Sequence, residues 1–388
     1  MTATRTRKAL VVGAGIGGLS TAATLRRVGL DVEIYERASE LRPAGGGLSL
    51  MTNGVLALRD VGVEPRFEDS GVVFAKLHFA TRRGRPIRTV SFTELADELG
   101  APSYGIHRAD LQQVLLKEIG DTPITLGAEV TGFTTGRDGV TVHFKNGEEA
   151  HGDFLVGADG FGSAVRRQIA GAEQPREPGY VCWLATPSYE DPRLPHAYVA
   201  HYWGRGKRFG IANIGSGRIY WWGTQNMPAA QARTWHGGKE DILRSYAGWA
   251  DEVLAVLRAT PEEEILTVPA QDRPFLERWG EGPVTLLGDA AHPMLTSVGQ
   301  GAALAMEDAA VLALRLADTS DTVAALRAYE DERRPRTRKL VELAYSLSKM
   351  EQAERPLQVL ARNSYFRFAS KSALDQHNRL LLDFRSTR

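Results

Sequence analysis

Between an apolar run, Lys8–Val12, and a segment of helical periodicity, Gly17–Val28, the chain carries Gly13-x-Gly15-x-x-Gly18. Few patterns restrict a backbone so tightly. Gly13 permits a tight turn, Gly15 lets the backbone approach a pyrophosphate, and Gly18 lets helix and strand pack closely. The start of the helix, at Ile16 and Gly17, offers free N–H groups and a partial positive charge. A second short strand, Asp31–Tyr35, leads to Glu36, 18 residues after Gly18, where a carboxylate can accept hydrogen bonds from ribose hydroxyls. Arg37 follows it and is grouped with these residues as a candidate cofactor contact. A glycine-rich turn without a ligand is the plain alternative. Strand, helix and acid in register favour a dinucleotide-binding β-α-β unit, and with it an α/β fold.

The rest of the chain extends that unit. Ala109–Ile119 has helical periodicity, Ile124–Leu126 is extended, and Val130–Thr134 and Val140–Phe144 form a hairpin pattern around Arg137-Asp138-Gly139. Asp153–Val156 is a short buried strand that enters Asp159-Gly160-x-x-Ser163-x-x-Arg166. Val284–Leu287 is another, and it enters Gly288-Asp289-Ala290-Ala291-His292, which continues to Gly299-Gln300-Gly301 at a helix start. A carboxylate at a strand end can bind a polyol. Free N–H groups at the Gly301 helix can hold a ring edge that gains negative charge. Between these motifs, Gly179–Met227 is rich in Tyr and Trp with period-2 stretches, the pattern of an antiparallel sheet. Lys239–Ala247, Asp251–Arg258, Gln300–Leu316 and Thr322–Met350 are helical in pattern, and the tail after Pro356 is mixed.

Composition excludes several classes. Lys+Arg and Asp+Glu both number 47, and no long basic run suggests nucleic acid as a partner. The single cysteine, Cys182, rules out an internal disulfide and multi-cysteine metal sites within one chain. The nine histidines lack metal-ligand spacing, so no metal is expected. No apolar stretch reaches the roughly 18 residues of a membrane span. The basic residues before the first strand mimic a signal peptide, but the glycines that break the apolar run argue for a phosphate loop. A cytoplasmic protein is expected.

The three motifs, in this order and spacing over about residues 8–340, resemble the FAD-dependent aromatic hydroxylases related to para-hydroxybenzoate hydroxylase. The resemblance implies a Rossmann-like FAD-binding domain with an inserted, mostly antiparallel substrate sheet and a C-terminal helical segment. It divides the chain into a discontinuous FAD domain (1–75, 101–176 and 270–320), a substrate domain (76–100 and 177–269) and a helical region (321–388). It implies that Arg108, Asp159, Asp289, Gly299, Gly301 and Ala302 serve FAD, and that Asp159 and Arg166 share a provisional role in both FAD and NAD(P)H binding. With one GxGxxG only, NADH or NADPH would bind transiently. Reduced flavin would then react with O₂ to a C4a-hydroperoxide and oxygenate an aromatic or polyketide-like small molecule. Rival readings are a reductase, dehydrogenase or halogenase on the same fold, or a non-catalytic redox module. The Trp-x-Trp-x-Ile-Pro run typical of the halogenases is absent.

Lys207–Ile214 and Arg218–Thr224 form a hairpin pattern around Gly215-Ser216-Gly217. A three-residue loop would place Tyr220 opposite Ala212, Trp222 opposite Gly210 and Arg208 opposite Thr224, all on one face; a two-residue loop would move Arg208 to the other face from Tyr220. One cation, two aromatics and two small residues suit a flat, acidic or enolisable ring. The arginine–tyrosine spacing resembles FAD-dependent urate hydroxylase, which implies substrate contact and catalytic roles for Arg208 and Tyr220. The rival is a sheet whose aromatics are core. Thr296 stands where the family usually has proline beside flavin and substrate, so it restores an N–H and adds a hydroxyl at the substrate side. His292 is expected to be structural rather than a proton-transfer residue.

Overall fold

The computed structural model describes residues 6–41 and 46–384. Its first sheet has six strands in the order Gly280–Glu281, Val284–Leu286, Phe154–Gly157, Lys8–Val12, Asp31–Glu36 and Ile124–Leu126. All pair in parallel except the Gly280–Glu281 edge. Residues 9–12 and 154–157 are buried, as continuous apolar runs covered on both faces must be. Helix Ile16–Arg27 packs against helix Gly301–Asp318 on this layer.

Parallel order explains why three motifs far apart in sequence meet. Each follows one of three neighbouring strands, so all leave the sheet at the same edge. Ala158 N–H donates to Val12 O (2.9 Å), Leu287 N–H to Gly157 O (3.0 Å) and Gly13 N–H to Tyr35 O (2.8 Å). The chain runs from Lys8–Val12 to a strand on one side and later returns on the other. That reversal opens the crevice in which doubly wound sheets bind ligands.

A second, seven-stranded sheet runs Leu266–Pro269, Tyr180–Ala185, Ile219–Asn226, Lys207–Asn213, Tyr198–Trp203, Lys76–Thr81 and Pro86–Ser91. It is antiparallel except where Tyr198–Trp203 pairs in parallel with Lys76–Thr81. Alternation gives it two unlike faces. Val181, Trp183, Phe209, Ile211 and Trp221 pack with Tyr246, Val253 and Leu257 from the helical stretch behind. Arg208, Gly210, Ala212, Tyr220, Trp222 and Thr224 lie on the other face. Their register is Arg208 to Thr224, Gly210 to Trp222 and Ala212 to Tyr220. The loop is therefore the three-residue one, and Gly215, Ser216 and Gly217 all have positive φ (84°, 55° and 67°).

Helix Thr322–Glu351 links the two sheets. Tyr329 donates to Leu286 O (3.0 Å) at one end, and Ser348 donates to the Tyr180 hydroxyl (3.0 Å) near the other. The tail, mixed in pattern, folds into helices Pro356–Phe368 and Lys371–Leu382. Phe366 of the first packs against both Phe79 (5.2 Å) and Trp203 (4.6 Å) of the second sheet. Among the described residues no helix is long and apolar enough to cross a membrane.

Candidate active site

The phosphate turn is built from exclusion. Gly13 sits at φ 104°, and a methyl group there would lie 2.5 Å from the Ala158 carbonyl oxygen. One on Gly18 would lie 1.8 Å from the Gly13 carbonyl oxygen. Gly15, by contrast, has nothing within 4 Å of that position, and the helix beginning at Ile16 has no side-chain cap. Open space in front of uncapped N–H groups is what a pyrophosphate requires. Ile16 and Gly17 lie in this first turn. Glu36 braces it: Oε2 accepts from Ala14 N–H (2.8 Å) and Oε1 from Ala38 N–H (2.9 Å). Arg37 beside it is exposed.

Asp289 stands exposed in the crevice, and its carboxylate has no hydrogen-bond partner among the described residues. A methyl group on Gly301 would be 3.9 Å from Asp289 Oδ1, so the carboxylate lies beside the start of the Gly301 helix. Desolvation by the surrounding protein raises its pKa, while the charges of His292 and Arg108 pull it down. Arg108 is exposed, and its backbone N–H is tied to Gly46 O (3.1 Å). Gly299 adopts φ 62°, and Ala302 and Gly301 form the uncapped first turn after it. Ser297 Oγ and Gln300 Nε2, either side of Gly299, are buried without partners. Two uncapped helix starts, an unpaired carboxylate and unpaired donors fit a dinucleotide that extends into a polyol and a ring.

Asp159 and Arg166 of the second motif are engaged by protein groups. Asp159 accepts from Ser163 Oγ (2.5 Å) and Ala164 N–H (2.7 Å), so its oxygens are engaged by its own loop. Arg166 is buried and donates to Glu173 Oε2 (2.6 Å) and to the carbonyls of Ala290 (3.0 Å) and Ala291 (2.8 Å). It buttresses the Gly288–His292 turn from behind. His292 is structural as expected: Nε2 pairs with Asp308 Oδ2 (2.6 Å), which also accepts from Gly288 N–H (3.0 Å). Arg333 completes the network on Asp308 Oδ1 (2.7 Å).

The opposite wall is the open face of the second sheet. Strand Gly47–Leu50 crosses it, and a methyl group on Gly47 would meet Tyr220 at 2.4 Å. The run Gly45-Gly46-Gly47, passed over in the sequence, is the signal that could have pointed to that close approach. Tyr220 and Trp222 are half-buried and 5.1 Å apart, tilted by 30°. The Tyr220 hydroxyl has no partner among the described residues, and burial raises its pKa. Trp222 lies over Gly210, where a methyl group would be 2.0 Å from the indole. His201, which the sequence reading missed, sits edge-on to Trp222 (5.1 Å, 80°). Arg208 is buried, and it is not the free cation that the sequence suggested. Its Nη1 is ion-paired with Glu351, and its Nη2 lies 3.5 Å from Thr296 Oγ1, at the long limit of a hydrogen bond. Thr296, exposed on the loop before Gly299, thus touches the sheet wall through the hydroxyl that proline lacks.

Comparisons with known proteins agree with this geometry. The FAD binding domain family model matches residues 6–344. The chain is 36% identical over 380 residues to aurachin C monooxygenase/isomerase of Stigmatella aurantiaca, covering 97% of both chains. It is 35% identical over 336 residues to FAD-dependent urate hydroxylase of Klebsiella pneumoniae, covering 86% of this chain and 88% of that one. The crystal structure of Klebsiella pneumoniae HpxO complexed with FAD and uric acid superposes with a TM-score of 0.89 at 31% identity, over 97% of each chain.

Proposed function

This chain belongs to the FAD-dependent aromatic hydroxylases, and from that premise we propose that its FAD faces a substrate wall made by Arg208, Tyr220, Trp222 and Thr296. The protein is an FAD-dependent monooxygenase that uses NADH or NADPH as reductant. When bound and reduced, FAD supplies the electrons that activate O₂. The chain's own residues bind and orient. Gly13, Gly15, Ile16, Gly17 and Gly18 present N–H groups to the pyrophosphate. Glu36 and the neighbouring Arg37 flank the adenosine ribose, and Asp289 takes the ribityl hydroxyls. Arg108 opposes the Asp289 charge. The first turn at Gly299, Gly301 and Ala302 offers N–H groups where negative charge would develop.

One observation carries the substrate assignment. The three cofactor motifs leave the first sheet at one edge, and Thr296, between two of the cofactor contacts, reaches Arg208 on the second sheet. Tyr220 and Trp222 therefore line the space between, with an unpaired hydroxyl and a flat indole. That wall suits a planar aromatic or polyketide-like small molecule, the substrate class we assign. The remaining partners are O₂ and the nicotinamide, in a cytoplasmic enzyme without nucleic acid or membrane as partner; balanced charge supports this reading. A panel of ring compounds tested for acceleration of NAD(P)H oxidation checks it. Acceleration by planar rings, lost in Trp222→Ala with full flavin content, is the expected outcome. Acceleration untouched by that variant would move the substrate elsewhere.

A further inference from the structure

Arg208 lies in the substrate wall, yet its charge is already answered. The Glu351 carboxylate that pairs with it comes from outside the sheet, at the end of helix Thr322–Glu351. Side-chain exposure is 2% for Arg208 and 6% for Glu351, so water screens the pair little. Arg208 Nε–H is buried with no acceptor, which leaves one edge of the guanidinium with donating capacity. A second buried arginine, Arg362, lies close by, its guanidinium 5.0 Å over Trp203. Its donors are committed to the carbonyls of Glu351 (2.8 Å) and Gly204 (3.1 Å) and to Asn363 Oδ1 (3.1 Å).

Arg88, on the same face near the sheet edge, donates to the Ala369 carbonyl (2.7 Å), and the two titratable groups that feel the Arg208 charge most directly are uncharged. Burial, with the Arg208 charge, holds the His201 imidazole down at about 3. Burial pushes the Cys182 thiol up to about 11, against the pull of Arg208. His201 Nδ1 is buried without a partner, so a neutral imidazole with spare hydrogen-bonding capacity stands beside Trp222. A lone guanidinium would draw a carboxylate or enolate ring into this wall. A guanidinium paired with Glu351 still donates to a neutral carbonyl oxygen, but an anion there would approach the Glu351 carboxylate as well.

Resting on the cleft as the substrate site, we propose that Glu351 is a specificity-determining residue: by balancing Arg208 it tunes the wall to an uncharged ring bearing a carbonyl-type acceptor and disfavours anionic rings. Discrimination of this kind comes from the repulsive element as much as from the attractive one. The FAD holoenzyme is titrated with benzoate and with benzamide, its uncharged isostere, and perturbation of flavin absorbance is followed. Wild type should bind benzamide at least as tightly as benzoate. Glu351→Gln keeps the size and a carbonyl oxygen for Arg208 but removes the charge. It should move the affinity ratio at least about tenfold toward benzoate, the size of a modest charge-assisted contact.

The double variant Arg208→Gln/Glu351→Gln, neutral at both positions, should return the ratio close to wild type. It also provides a folded reference without an unpaired buried charge. Wild-type preference for benzoate, a ratio unmoved by Glu351→Gln, or an equal shift in the double variant would overturn the role of Glu351. The wild-type comparison stands alone if the single variant does not fold. A flavin that neither probe perturbs would instead remove the cleft as the ring site, and the proposal with it. No turnover is needed, so the result is independent of oxygen incorporation.

Discussion

Asp289→Ala separates cofactor affinity from fold stability. In the free protein the Asp289 carboxylate has no hydrogen-bond partner among the described residues, and desolvation raises its pKa. A raised carboxyl pKa means that the ionised form is less comfortable in the folded chain than in the unfolded one near pH 7. Removing it should therefore leave the apoprotein as stable as wild type or slightly more so. FAD binding should respond the other way. A lost hydrogen bond to a charged group costs about 1.5–3 kcal/mol, which is a fall of about tenfold to 150-fold in affinity at ~1.4 kcal/mol per decade. Glu36→Ala makes the contrast. Both Glu36 oxygens already accept backbone N–H groups, from Ala14 and Ala38. Its loss should lower stability by about 1 kcal/mol or more, with a smaller loss of FAD affinity than Asp289→Ala. Fluorescence titration of apoprotein with FAD and urea unfolding of the same samples give the two numbers. Equal affinity losses, or an Asp289→Ala apoprotein that unfolds at clearly lower urea, would refute this assignment of roles.

Tyr220→Phe removes the unpaired hydroxyl and almost no volume. It should reduce kcat/KM for an accelerating ring compound several-fold, about 0.5–1.5 kcal/mol, with the flavin spectrum unchanged; unaltered kinetics would leave Tyr220 as packing. Gly210→Ala would put a methyl group 2.0 Å from the Trp222 indole. The ring must turn, so KM should change while flavin content holds, and an unchanged KM would remove Trp222 from the wall. Asp308→Asn tests the network behind the flavin loop by urea unfolding. Burial alone would raise the Asp308 carboxyl, but the charges of His292 and Arg333 hold it at about 2, below its ordinary 3.8. That difference is worth roughly 2 kcal/mol, present above the unfolded value and lost as pH falls through the folded one. The variant should be less stable by about that amount at neutral pH and should show a flatter decline on acidification. An unchanged urea midpoint at pH 7 would contradict it.

Much of this site was legible in the sequence because its parts are local. The strand, glycine turn and acid around Gly13–Gly18 follow from backbone sterics, and the hairpin register follows from loop length and period-2 alternation. A three-residue loop puts Arg208, Tyr220 and Trp222 on one face and a two-residue loop does not, and the pairing is that of the three-residue loop. What stayed hidden is the partner each side chain chooses. Asp159 and Arg166 belong to a motif near FAD, but the first caps its own loop and the second holds the Ala290 and Ala291 carbonyls. A motif gives residue types, not the direction in which a carboxylate turns. Glu351 lies 143 residues from Arg208. Only the length and rotation of helix Thr322–Glu351 bring them together, and no local pattern encodes that. His201 looked like one scattered histidine among nine, until two antiparallel pairings through Gly210 set it beside Trp222.

The source of the oxygen in the product tests the assignment of activity most directly. The ring compound that most accelerates NAD(P)H oxidation is turned over under heavy-isotope dioxygen, and product mass is measured against nicotinamide consumed. A monooxygenase should place one labelled oxygen atom in each product molecule, with product formed in proportion to the nicotinamide used. Product oxygen carrying no label, or nicotinamide oxidation that yields only hydrogen peroxide with every accelerating compound, would contradict it.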